Sequence, residues 1–176
     1  MVFIEKEVKV LDIDLAKTIA SLEWLWATKN YDTILYDKYF DTHEDHWAQL
    51  RKNVRIRFTA QWDVLTLKQR LPNKDYKAAY EDEWSIDWEK AQEVLHTSGF
   101  VAKRAKYKRR ISYTYQDMIF DIDLYPTIPP LLEIEAQSLQ TIRKGITLLW
   151  LEEKQIATCG ARGLFKRYNR QVEKVL

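Results

Sequence analysis

Charged and apolar residues alternate with a period of two in one stretch of this chain after another, and the charged ones are sorted by sign. In the first stretch, Val2 to Val10, a strand would send Glu5, Glu7 and Lys9 to one face. Val2, Ile4, Val8 and Val10 would go to the other, interrupted by Lys6. Paired acids on one face return as Glu81 and Glu83, as Asp121 and Asp123, and as Glu133 and Glu135. Bases are paired in the same way as Arg55 and Arg57, and as Lys106, Lys108 and Arg110, with Lys68 on a further stretch. The opposite faces carry Val, Ile, Leu, Phe, Tyr and Trp, a composition that favours strand over helix.

The pattern predicts eight strands: 2–10, 33–40, 54–59, 65–70, 80–86, 104–115, 118–124 and 132–136. Amphipathic helices lie between them. One begins at Asp12 or Asp14, carries Leu15, Ile19, Leu22 and Trp26, and should end near Lys29-Asn30. A second is capped by Asp87 and closed by Gly99, and a third is capped by Ser138 and contains Gly145. A short amphipathic piece covers 162–172, and 43–50 reads as a short helix or loop. Short turns join several strands, so the class is α+β with a mainly antiparallel sheet, and eight such strands can close into a barrel. Residues 1–176 read as a single domain.

The apolar faces need cover and the helices can supply it from outside, which leaves the charges inside a barrel tunnel. The alternative is an open, half-solvated sheet decorated with surface ion pairs. Sorting of acids and bases by strand favours the tunnel, because random surface charge would not be expected to segregate. A lumen so crowded must stay wet and internally balanced, since an isolated buried ion costs several kcal/mol. Carboxylate pairs suit a divalent cation, whereas clustered guanidinium and ammonium groups suit phosphate. Both together point to a metal-complexed polyphosphate. Glu5, Glu7, Glu81, Glu83, Asp121, Asp123, Glu133 and Glu135 are the candidate metal ligands. Lys9, Arg55, Arg57, Lys68, Lys108 and Arg110 are the candidate phosphate ligands.

The 28 basic and 26 acidic residues leave a net charge of +2, so no whole-chain argument favours nucleic acid or a membrane surface. The run 103–110 is basic, but alternation divides it between lumen and exterior. No apolar run approaches the ~20 residues of a membrane span, and the first ten residues lack the pattern of a secretory signal. With Cys159 as the one cysteine, a cytoplasmic protein is expected. His43, Glu44 and His46 read as surface loop, and the seven tryptophans as core or helix–sheet packing.

Six segments, in order, resemble the CYTH superfamily, the triphosphate tunnel metalloenzymes. They are Glu5-Lys6-Glu7-Val8-Lys9, Asp37-Lys38-Tyr39-Phe40-Asp41-Thr42, Val54-Arg55-Ile56-Arg57, Thr66-Leu67-Lys68, Lys108-Arg109-Arg110-Ile111-Ser112-Tyr113 and Leu132-Glu133-Ile134-Glu135. The resemblance implies an eight-stranded antiparallel tunnel acting on triphosphates with Mg2+ or Mn2+. It implies metal binding by Glu5, Glu7, Asp121, Glu133 and Glu135 with Asp123 beside them, and phosphate binding by Arg55, Arg57, Lys68, Arg110 and Arg162. It further implies that Lys9 and Tyr39 activate the attacking water.

The chain departs from the family pattern at Ala79, where a basic residue is common and Lys77 is the nearest substitute. It lacks the Ser-Tyr often found near Thr158-Cys159-Gly160. Asn53 stands where animal thiamine triphosphatases carry a tryptophan, which weakens that specificity. Inorganic triphosphate is therefore the preferred substrate, ahead of ATP and thiamine triphosphate. The rival readings are a class IV adenylyl cyclase and a non-catalytic module for polyphosphate or nucleotide. Both a monomer and a homodimer are compatible with the sequence.

Overall fold

A computed structural model describes residues 3–73, 75–152 and 155–170. Its elements, in order, are β1 (Phe3–Val10), α1 (Leu15–Trp24), β2 (Thr28–Asp41), α2 (His46–Gln49), β3 (Lys52–Phe58), β4 (Asp63–Leu71) and β5 (Lys77–Ser85). They continue as α3 (Trp88–Thr97), β6 (Val101–Tyr115), β7 (Met118–Leu124), β8 (Leu131–Ala136), α4 (Leu139–Leu148), β9 (Ile156–Ala157) and α5 (Ala161–Arg167).

All strand pairings are antiparallel, and they run β5-β4-β3-β2-β6-β7-β8-β1. A further pairing of β1 with β5, from Phe3↔Glu81 to Glu7↔Lys77, closes these eight strands into a ring. That edge of β1 is shared. Its first part meets β5, and Lys9 and Val10 meet β9. The two-residue β9 is absent from the sequence-based count, being too short to show alternation.

Apolar packing lies outside the ring. Val8, Val10, Ile111, Phe120, Ile122, Leu132 and Ile134 turn outward and are covered by Leu22 of α1 and by Ile142 and Ile146 of α4. On the opposite wall Phe40, Val54 and Ile56 lie under residues that include Trp47, Ala91 and Leu95. A third cluster joins Leu11, Tyr125, Ile128 and Leu131 to Leu164 and Phe165 of α5. Gly145 lets α4 approach the barrel closely. A Cβ there would lie 3.1 Å from Met118 Sδ and 3.3 Å from Ile134 Cγ2 and Phe120 Cε1.

Helix starts follow the expected caps. The side chains of Asp14, Asp87 and Ser138 accept from Lys17 N, from Glu89 and Lys90 N, and from Thr141 N, respectively. The end of α1 does not follow expectation: it stops at Trp24, and β2 begins at Thr28 rather than beyond Asn30. Trp26 takes a left-handed conformation (φ 58°), its N–H donates to Glu23 O, and the Ala27 N–H donates to Leu22 O. The same closure ends α4 at Trp150 (φ 54°) and α3 at Gly99 (φ 84°). Trp24, Trp26 and Trp150 are 80–91% exposed, which corrects their expected place in the core. They sit at helix ends, past the stripe that faces the barrel. Among the described residues no helix is long and apolar enough to cross a membrane.

Candidate active site

Inside the ring lies a cavity of about 720 Å³. The alternation read from the sequence places its walls: Glu7, Lys9, Arg57, Lys106, Lys108, Arg110, Asp121 and Glu133 are buried and line it, with Asp123 buried beside them. The residues between them on each strand face outward, onto the apolar clusters or, at Tyr107 and Arg109, toward solvent. The charges sort into three groups around the wall.

The first group is built on β1, β8, β7 and β6. Register sets Glu7 opposite Glu135, Lys9 opposite Glu133, and Glu133 opposite Asp121. Carboxylate oxygens of Glu7, Glu133 and Glu135 all lie within 4.8 Å of one another. Lys9 Nζ bridges Glu7 and Glu133, at 2.5 Å from Glu133 Oε1, and Lys77 Nζ is 2.6 Å from Glu7 Oε2. Arg110 donates through Nε to Asp123 Oδ1 at 2.6 Å and also reaches Asp121 and Glu133. Lys108 pairs with Asp123.

Burial opposes each of these charges, and the neighbours decide the outcome. Lys9 is desolvated, yet Glu133 and Glu7 outweigh that and hold its ammonium well above the usual lysine range. Glu133 is likewise buried, and Lys9, Lys108 and Arg110 keep its carboxyl well below the usual range. For Lys108, burial and then the Arg110 charge prevail over Asp123, and its pKa is pushed down to about 8. Burial raises Asp121 against the pull of Arg110.

The second group centres on Asp37 of β2. Arg57 Nε donates to Asp37 Oδ1 at 2.7 Å and Nη2 to Oδ2 at 3.1 Å, a two-pronged pair on adjacent strands. Lys106 Nζ is 3.7 Å from Asp37 Oδ2 and 5.4 Å from the centre of the Tyr39 ring, which Arg104 covers at 4.4 Å. For Tyr39, burial raises the phenol but Lys106 overcomes it, so its pKa is lowered. The third group lies on β3, β4 and β5. Arg55 Nη2 donates to Thr66 Oγ1, Glu81 and Glu83 at 2.9, 3.3 and 3.0 Å, and Lys68 Nζ is 2.5 Å from Glu81 Oε2.

Most of the residues selected from the sequence thus line one cavity, but not as one cluster. Glu81 pairs with Arg55 and Lys68 and Glu83 with Arg55; neither is one of the three mutually close carboxylates, and the Glu83 side chain is half exposed. Lys9 and Tyr39 occupy different groups. The side chains of Glu5 and Arg162 lie outside the described residues. Sequence reasoning gave Asp37 no role, although it shares a strand face with Tyr39. It left Lys77 open and passed over Tyr31, Arg70 and Tyr125, which also line the cavity.

The acids of the first group fit a hard divalent cation. Three carboxylates converge, and buried Asp121 Oδ1 has no hydrogen-bond partner among the described residues.

A CYTH-domain family profile matches residues 4–155. The chain belongs to the CYTH family. Its members bind triphosphates and are typically metal-dependent triphosphatases. Among curated proteins none matches the sequence. Solved structures share the fold. A conserved hypothetical protein from Pyrococcus furiosus is 24% identical, with a TM-score of 0.75 over 89% of this CYTH chain and 97% of that one. A Vibrio parahaemolyticus protein proposed to be an adenylate cyclase is 12% identical, with a TM-score of 0.82 over 92% and 97%. A Hippeastrum protein described as having a dominant triphosphatase activity is 18% identical, with a TM-score of 0.70 over 98% of each chain.

Proposed function

We propose that this CYTH protein hydrolyses inorganic triphosphate to diphosphate and phosphate with the help of Mg2+ or Mn2+. The observation that carries this reading is one cavity within the strand ring holding both a three-carboxylate cluster and walls of buried cations. Anion binding alone gains nothing from convergent carboxylates.

In this reading Glu7, Glu133 and Glu135, with Asp121, hold the metal. A bound divalent ion supplies charge neutralisation at the phosphate oxygens and a more acidic water. Arg55, Arg57, Lys68 and Arg110 hold the phosphate chain. Water attacks the terminal phosphorus in line, the bond to the bridging oxygen breaks, diphosphate leaves, and the water's protons end on the products. Such a transfer needs positioning and compensating charge more than a strong base. Lys9 fits that requirement as a cation. Held protonated between Glu7 and Glu133, it stabilises charge on the transferring group and does not accept the proton. Tyr39, beside Lys106, lines the same cavity and is placed to orient the attacking water.

The test is phosphate release from triphosphate, ATP and thiamine triphosphate with each metal. Release from triphosphate well above the other two is expected. Inactivity on all three would sink the reading, and cyclic AMP formed from ATP would replace it with the cyclase reaction.

A further inference from the structure

Arg70 differs from the other cations around the cavity. Lys9, Arg55, Arg57, Lys77, Lys108 and Arg110 each hold a carboxylate. The Arg70 guanidinium makes no hydrogen bond or ion pair among the described residues, and it is exposed at the cavity's edge. Its backbone is fixed all the same. Arg70 stands opposite Ala79 in the β4–β5 ladder, and its N–H donates to Arg51 O at 2.9 Å. It shares a strand face with Thr66 and Lys68, one step of about 6.6 Å beyond Lys68.

The guanidinium lies flat against Gly160, just before α5. A Cβ at Gly160 would sit 2.8 Å from Arg70 Nη2, 3.0 Å from Nη1 and 3.1 Å from Cζ. The Gly160 backbone, at φ −76° and ψ 175°, is open to any residue. Glycine therefore supplies room here and not conformational freedom. Ala161 and Leu164, which follow, also line the cavity and offer no ring on which a base could stack.

We propose that Arg70, seated on Gly160, is a subsite for a fourth phosphate, so that the tunnel takes linear inorganic polyphosphates of four or more units. The proposal rests on the triphosphate reading above, since Lys68 is the last phosphate ligand of that set before Arg70. A planar guanidinium with open donors matches a phosphate's oxygens, and at an edge without aromatic cover a further phosphate suits it better than a nucleoside.

Calorimetric titration of the whole chain with tripolyphosphate and tetrapolyphosphate, in EDTA to suppress turnover, tests this. The wild type should bind tetrapolyphosphate at least tenfold more tightly than tripolyphosphate. R70A should erase that preference while leaving tripolyphosphate affinity within threefold. G160A should follow R70A, because the added methyl displaces the far end of a flexible side chain at little cost to folding. The proposal is overturned by equal wild-type affinities, by no binding of either, by an R70A variant that keeps the preference, or by one that loses both ligands equally. The triphosphatase reading fails separately, when a chain that binds both releases no phosphate with Mg2+ or Mn2+.

Discussion

Removing the Asp37 carboxylate leaves the Arg57 guanidinium buried without its two-pronged partner. Losing one member of a buried pair typically costs about 3–5 kcal/mol, so Asp37→Asn should lower stability in urea by roughly 3 kcal/mol at pH 7. Burial alone would raise the Asp37 carboxyl, but Arg57 and then Arg55 hold it well below the usual range. The folded chain therefore binds fewer protons here than the unfolded one at acidic pH. The contribution is complete above the unfolded value of about 4 and fades as pH falls toward the folded value. The wild type's advantage over Asp37→Asn should shrink between pH 5 and pH 2; an advantage independent of pH would contradict this assignment. Glu133→Gln should weaken Mn2+ binding at least tenfold and slow triphosphate hydrolysis on the order of a hundredfold, measured by calorimetry and phosphate release. Glu7, Lys9 and Glu133 were legible because period two fixes their face. Their grouping was not, since which side chains meet across a barrel depends on strand stagger: Lys9 meets Glu7 and Glu133, while Tyr39 lies beside Lys106 and Arg104.

At the scale of the element, left-handed residues close the helices, and at two of those positions the sequence supplies tryptophan. Outside glycine that conformation costs about 1–2 kcal/mol, and Trp150, 87% exposed, recovers little by contact. Trp150→Gly should raise stability by about 0.5–1 kcal/mol in thermal or urea unfolding, after the greater freedom of unfolded glycine is set against the relief. Gly145→Val should do the opposite, by about 1–3 kcal/mol, because its branches would enter the contact with Met118, Ile134 and Phe120. Helix starts were readable from Asp14, Asp87 and Ser138, whose side chains cap by local chemistry. The end of α1 was hidden, because a tryptophan at a closing position looks like one more member of an apolar stripe. The two residues of β9 carry no period at all, and only their partners Lys9 and Val10 define them.

For the molecule as a whole, the closed ring was legible in the sorting of charge by strand, and ligand binding should tie it together. A ligand at a hundred times its dissociation constant stabilises by about 2.7 kcal/mol, which for a chain of this length is a Tm rise of roughly 5–10 °C. Triphosphate with Mg2+ should give that rise, and EDTA should reduce it. The shared edge of β1 has a further bearing on how the chain reaches this state. During synthesis β1 has none of its sheet neighbours until residues 77–81 emerge, a second flank only with residues 132–136, and its last partner with residues 156–157. Sealing the cylinder must therefore be a late, slow event governed by distant contacts. Until then β1 presents raw strand edges, and its alternating glutamates and lysines keep those edges from sticking to their neighbours.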